Sequence, residues 1–200
     1  MHILKALSDK VLPALFWFFL MLAFDTAAMT VMTCLAAAIH ELGHIAAGII
    51  LTGDELSLPK ATLTGLKIHT GRLLSYKEEI IIAASGPLVN IVVFLFTLPF
   101  FNLSGYIAAF AFINLLTAVS NLIPIKSYDG YRIISASLAG RLEPCLQARV
   151  MSALTLVFSA AAVLISLVLL MLIGEGYWLF AIFFAILIKE ILKLHEKDKK

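Results

Sequence analysis

Hydrophobic residues in this chain run in long blocks instead of the short alternations of a soluble domain. A helix needs about 20 apolar residues to cross the hydrocarbon core of a bilayer. Six blocks approach or exceed that length, at 11–24, 27–51, 80–101, 105–124, 150–173 and 177–192. This pattern predicts an all-α polytopic membrane protein with about six transmembrane helices.

The composition supports a bilayer environment. Of the 200 residues, 62% are hydrophobic and only 14% are charged, and the mean hydropathy is +1.01. A soluble domain has about 45–50% apolar and about 25% charged residues. The first block, 11–24, follows Lys5 and Lys10 as the core of a signal peptide would. No clean small-residue cleavage site follows Phe24 and Asp25, and the second block would face the same way after cleavage.

The basic residues indicate an orientation. Six helices place the N-terminus, the 52–79 and 125–149 loops and the C-terminus on one side of the membrane. With the end of the last helix, these segments hold all 15 lysines and arginines. The positive-inside rule therefore predicts that both termini are cytoplasmic. The net charge of +2 follows from this topology and requires no nucleic acid partner.

Ionisable residues interrupt the second block in AAAIHELGHIAAG, residues 36–48. His40 and His44 are four apart, so on a helix both imidazoles project from one face and can bind one metal ion. Zinc accepts two imidazoles and a carboxylate and leaves a fourth position open. Glu41 could then take a proton from water at that position. The alternative is a set of packing residues bonded to neighbouring helices, but ionisable residues within a membrane span are costly and usually functional.

A third ligand is expected from NLIPIKSYDG, residues 121–130. Pro124 can end the fourth helix, and Asp129 with Gly130 would follow in a non-helical stretch. Irregular backbone at membrane depth is tolerated where it lines a cavity. An Asp before a Gly is by itself most often a turn former. The second and fourth blocks run in the same direction, however, so both motifs are expected in the inner half of the bilayer.

Three motifs in this order resemble those of the site-2 proteases, which are intramembrane zinc metalloproteases. They are HELGH at 40–44, SGPLVN at 85–90 and NLIPIKSYDG at 121–130. The resemblance implies that His40, His44 and Asp129 are zinc ligands and that Glu41 is the general base.

The resemblance also implies a domain organisation and a function. A single membrane metalloprotease domain would span 1–200, with a catalytic core at about 27–130 and accessory helices at 11–24 and 150–192. It would cut a membrane-spanning protein near the cytoplasmic face, with a regulatory membrane protein as a further partner. The chain is similar to a minimal form without PDZ or CBS domain, as in the branch that processes sporulation sigma factors, and a bacterial plasma membrane is expected.

Two other functions are compatible with metal-binding residues in a span. A metal-ion transporter needs polar groups across the whole bilayer, and the outer halves of these blocks offer almost none. An inactive relative that binds membrane proteins without cutting them would not need all four catalytic groups, His40, Glu41, His44 and Asp129.

Several polar residues have more than one interpretation. Asn121 could hydrogen-bond substrate or a developing oxyanion, or instead a neighbouring helix. Asn90 and Asn114 are expected to link helices. Gly86 and Pro87 are expected to break or kink the third helix and so make room beside the metal.

The 52–79 loop contains β-favouring residues and predicts a small membrane-associated β-hairpin. A free strand edge could hold an extended substrate by main-chain hydrogen bonds. His69 in this loop is expected to be a strand residue and not a ligand.

Overall fold

The computed structural model describes residues 27–53, 56–62, 65–70, 74–173 and 177–197. The predicted first helix, 11–24, lies outside these residues. The chain divides into two compact units, Met1–Leu122 and Ile123–Lys200. The organisation as a single domain stays a prediction.

Three helices form the described core of the first unit. They are α1 (Ala27–Thr52), α2 (Tyr76–Thr97), which continues as a 3-10 helix over Leu98–Leu103, and α3 (Gly105–Asn121). Helix α2 packs against both α1 and α3, and α1 also contacts α3. Alanines are buried at these contacts, and small residues let membrane helices approach closely.

The ends of α2 and α3 follow from local sequence. Ser75 caps α2: its Oγ accepts from the Glu78 main-chain N–H at 3.3 Å, and Glu78 Oε2 accepts from the Ser75 N–H at 2.8 Å. Helix α2 continues through Pro87, so the break predicted at Gly86 and Pro87 is not observed. Helix α3 ends at Asn121 and is therefore shorter than the block 105–124. Pro124 disfavours helical backbone at the residue before it.

Two short strands lie between α1 and α2. Strand β1 (Leu56–Thr62) pairs antiparallel with β2 (Gly65–Thr70), and the register shifts between Ser57 and Lys60. Both strands contact α1. They fall in the 52–79 loop for which the sequence predicts a hairpin, and the association of this hairpin with a membrane stays a prediction.

The second unit contains α4 (Asp129–Leu138), α5 (Pro144–Ile173) and α6 (Tyr177–Lys197). The expectation of a non-helical stretch at Asp129 is wrong, because Asp129 is the first residue of α4. An acidic residue there is favourable beside the positive end of the helix dipole. Helix α5 likewise begins inside the predicted 125–149 loop, where Pro144 suits a first helical position.

Side-chain hydrogen bonds join the helices of the second unit. Gln147 Nε2 on α5 donates to the Ser135 carbonyl on α4 at 2.9 Å. Ser152 Oγ on α5 donates to Glu190 Oε1 on α6 at 2.6 Å, and both residues are buried. Buried polar groups need such partners, so these bonds hold α4 and α6 against α5.

Three described helices are long and apolar enough to cross a membrane: Ala28–Thr52, Tyr76–Leu103 and Pro144–Leu172. Helix α3 is apolar but shorter. Large hydrophobic side chains on these helices point outward, including Ile50, Phe96 and Leu172, which are 80%, 73% and 78% exposed. Apolar side chains exposed on this scale suit a lipid environment and indicate an integral membrane protein. The total of six spans stays a prediction.

Candidate metal centre

Two rows of residues face each other across the contact between α1 and α2. Each row has a spacing of four, which keeps its members on one helix face. The rows are Ala36, His40 and His44 on α1, and Ile82, Gly86 and Asn90 on α2. They run in opposite directions: Asn90 Nδ2 donates to the Ala36 carbonyl at 3.1 Å, and His44 Nδ1 lies 2.7 Å from the Ile82 carbonyl. The motif HELGH therefore lies against SGPLVN.

The partners of the two imidazoles decide where their protons lie. A main-chain carbonyl can only accept, so His44 Nδ1 carries the proton that it donates to Ile82. The Ser85 hydroxyl donates to the same carbonyl at 2.6 Å. His40 Nδ1 lies 2.9 Å from Asn90 Oδ1, which is likewise an acceptor. With Nδ1 used in each case, Nε2 is the ring nitrogen that each histidine can offer to a metal ion.

The two Nε2 atoms converge. They lie 3.1 Å apart, and the ring planes are perpendicular, with centroids 4.7 Å apart. At this distance the two nitrogens can share either a proton, in a hydrogen bond, or a metal ion. Zinc bonds of 2.0–2.1 Å in tetrahedral geometry require a nitrogen–nitrogen distance of about 3.3 Å. The histidine pair fits such an ion with little rearrangement, and both side chains are buried.

Glycines create the space for this pair. A Cβ on Gly86 would lie 2.5 Å from His44 Nε2 and 2.9 Å from His40 Cε1. A Cβ on Gly43 would lie 2.8 Å from the Ser85 carbonyl oxygen on the facing helix. The missing side chain at Gly86, and not a break in α2, therefore makes room for the imidazoles.

Asp129 lies in the second unit and is 6% exposed. Its Oδ1 accepts from Arg132 Nη1 at 3.3 Å, one turn along α4. Ser127, two residues before it, has a φ of 86°, which few residues other than glycine adopt. Burial raises the pKa of the Tyr128 phenol above its usual value, so this group stays neutral. Asp129 is thus a buried carboxylate at the start of α4, just after a constrained turn at Ser127, and carboxylates are metal ligands.

The remaining predicted residues have separate surroundings. Glu41 follows His40 on α1 and is half-buried. Asn121 Nδ2 donates to the Thr117 carbonyl of its own helix at 2.9 Å, so this bond is local and does not link two helices. The helix-linking role of Asn90 and Asn114 is confirmed, because Asn90 Nδ2 donates to Asn114 Oδ1 at 2.8 Å.

Two partners of the histidines are missing from the sequence-based prediction. The Ile82 carbonyl has no sequence signal, because every residue carries one. Asn90 does carry a sequence signal, because Ile82, Gly86 and Asn90 repeat the four-residue spacing of the histidines.

Comparison with solved structures bears on the fold of this chain. The fold is similar to that of the site-2 protease from Methanocaldococcus jannaschii, with a TM-score of 0.59 and 17% sequence identity. The match covers 91% of this chain and 86% of that chain. The fold is therefore that of a site-2 protease. The sequence matches no protein-family model and no curated protein sequence.

Proposed function

We propose, from this shared fold, that the protein is an intramembrane zinc endopeptidase that hydrolyses a membrane-spanning or membrane-associated protein near the cytoplasmic face. The observation that carries the proposal is the buried pair of Nε2 atoms 3.1 Å apart, with both Nδ1 atoms held by acceptors. Because both Nδ1 atoms already have partners, the converging Nε2 atoms are the positions from which the pair would hold a metal ion.

The proposed ligands are His40, His44 and Asp129. Each offers one ligand atom, and all three are buried. Two imidazoles and one carboxylate form the three-ligand set of a catalytic zinc site, which leaves a position for substrate or water. Zinc held there supplies Lewis-acid chemistry, which polarises a scissile carbonyl and makes water nucleophilic near neutral pH.

Glu41 is the proposed general base. Its carboxylate takes one proton from the attacking water while the water oxygen bonds to the carbonyl carbon. It then passes that proton to the amine nitrogen as the C–N bond breaks. Asn121 is proposed to donate its second amide hydrogen to the oxygen on which charge develops, while its first stays bound to Thr117.

The proposed substrate is a membrane-spanning helix that unwinds locally before cleavage. Strands β1 and β2 form a two-stranded sheet, so each has an edge outside their pairing that could align an extended peptide. The proposed setting is a bacterial plasma membrane with both termini in the cytoplasm, where a regulatory membrane protein could control access.

Metal removal tests the proposal directly. Wild-type protein purified in detergent is expected to contain about one zinc per chain, because its three ligands match a catalytic zinc site. Reconstituted with single-span substrates, it is expected to lose cleavage in 1,10-phenanthroline and to regain it on addition of Zn²⁺, but not of Mg²⁺. Zinc-free wild-type protein that cleaves at the full rate would contradict the proposal.

The space at Gly86 gives a second test. Gly86→Ala is expected to weaken zinc binding because the new Cβ would overlap His44 Nε2. The loss should be at least about tenfold, the size of effect seen when a residue that supports a metal ligand is changed. The measurement is competition for Zn²⁺ with a chelator of known affinity. Gly105→Ala is the matched control, since a Cβ there meets nothing within 4 Å. Equal affinities in both variants would refute the role of Gly86.

A further inference from the structure

We propose that Asn90 and Asn114 are positioning residues that fix His40 in the tautomer able to bind metal. One readout, zinc affinity, rests on the proposed function. The other, the tautomer of His40, can be measured in metal-free protein. The relay crosses three helices: it runs from Asn114 on α3 through Asn90 on α2 to His40 on α1.

Each hydrogen bond in the relay has a forced direction. The Phe110 carbonyl accepts from Asn114 Nδ2 at 2.8 Å, which turns Asn114 Oδ1 toward Asn90. Asn90 Nδ2 donates one hydrogen to that oxygen at 2.8 Å and the other to the Ala36 carbonyl at 3.1 Å. The amide nitrogen of Asn90 is then fully used, so its Oδ1 faces His40 Nδ1 at 2.9 Å.

The reverse orientation of Asn90 is unfavourable. A flipped amide would place its oxygen against two other oxygens, those of Ala36 and Asn114, and its N–H groups against His40 Nδ1. Asn90 and Asn114 are both 0% exposed, so bulk water does not reach them to replace the lost bonds. Unpaired polar groups are costly in such low-dielectric surroundings. The relay therefore holds a proton on His40 Nδ1 and turns Nε2 toward His44, where the proposed metal would bind.

The two histidines differ in how they are held. A main-chain carbonyl, Ile82, orients His44, and no side-chain substitution removes it. A side chain orients His40 and is itself oriented by a third helix. Changes at Asn90 or Asn114 should therefore alter His40 and leave the partner of His44 in place.

The test measures zinc affinity by chelator competition in full-length variants. Asn90→Leu is expected to weaken zinc binding by about 10–100-fold, as for other partners of ligating histidines. Asn114→Leu is expected to weaken it less, and to add little in the Asn90→Leu background because both act through one bond. Asn90→Asp keeps the acceptor but opposes the Ala36 and Asn114 oxygens, so thermal stability should fall while zinc binding persists.

A second readout needs no metal. Nitrogen NMR of metal-free protein with labelled histidine is expected to show His40 protonated on Nδ1 in the wild type and a tautomer mixture in Asn90→Leu. Ser152→Ala removes a buried hydrogen bond elsewhere and should change neither readout. A wild type that binds no zinc but shows the Nδ1–H tautomer would refute the proposed function and support the relay.

Two results would overturn the relay. One is a folded Asn90→Leu variant with unchanged zinc affinity and an unchanged His40 tautomer. The other is an Asn90→Asp variant that loses as much zinc affinity as Asn90→Leu, which would show that Asn90 acts through its shape and not as an acceptor.

Discussion

Glu41→Gln is expected to reduce kcat/KM for cleavage by about 10³-fold or more, while the protein keeps its zinc. Glutamine has nearly the shape of glutamate, but its amide cannot take a proton from the attacking water. The histidines are expected to stay in place because the substitution leaves their partners on α2, Asn90 and the Ile82 carbonyl, unchanged. Initial cleavage rates in proteoliposomes and metal content of the same preparation provide the two measurements.

Glu143→Gln is the matched control for this substitution. Glu143 is exposed and lies between α4 and α5, so the same chemical change there should leave cleavage at the wild-type rate. Cleavage retained by Glu41→Gln would assign the general base to another group. Zinc lost from Glu41→Gln would instead mean that Glu41 helps to hold the metal.

His44→Ala and Asp129→Ala are each expected to weaken zinc binding by more than about 100-fold, beyond the range seen for partners of ligands, and to reduce cleavage to background. The reason is the same for both: a site with three protein ligands retains only two. Metal content after dialysis against a weak chelator measures the first effect, and cleavage of a single-span substrate measures the second.

Two controls separate loss of a ligand from other changes. His69→Ala removes a histidine that lies on β2 and should leave zinc content unchanged. Arg132→Leu removes the ion pair with Asp129 but keeps the carboxylate, so zinc should be retained. Full zinc content in Asp129→Ala would exclude Asp129 as a ligand and leave the third position to another residue.

The long helices were predictable because each is a continuous apolar block, which sequence records directly. Helix α4 was not predictable from the sequence. Its ten residues, DGYRIISASL, form a segment that is too short and too mixed in polarity to distinguish from a polar loop. The proline at 87 was misleading for a different reason. A proline within a helix removes one donor and favours a kink, but packing against both neighbouring helices keeps α2 continuous.

Part of the candidate site was predictable because ionisable residues such as His40 and His44 are costly within an apolar helix and rarely serve packing alone. Their partners were not predicted, since the Ile82 carbonyl is invisible in a sequence and Asn90 has several common roles in membrane helices. The fit of Gly86 against the imidazoles depends on how closely α1 and α2 approach, which a single sequence does not specify.

The facing rows on α1 and α2 make this region sensitive to chain length. One residue inserted between Ile82 and Asn90 would rotate the end of α2 by about 100° and shift it by about 1.5 Å. Asn90 would then leave both Ala36 and His40, while Ile82 would still hold His44, so the two imidazoles would no longer be held as a pair. A substitution elsewhere on these helices changes one side chain but not the helix length, so it leaves the two rows aligned. This segment should therefore accept the exchange of one apolar side chain for another on the lipid face, but no change in the length of the helix.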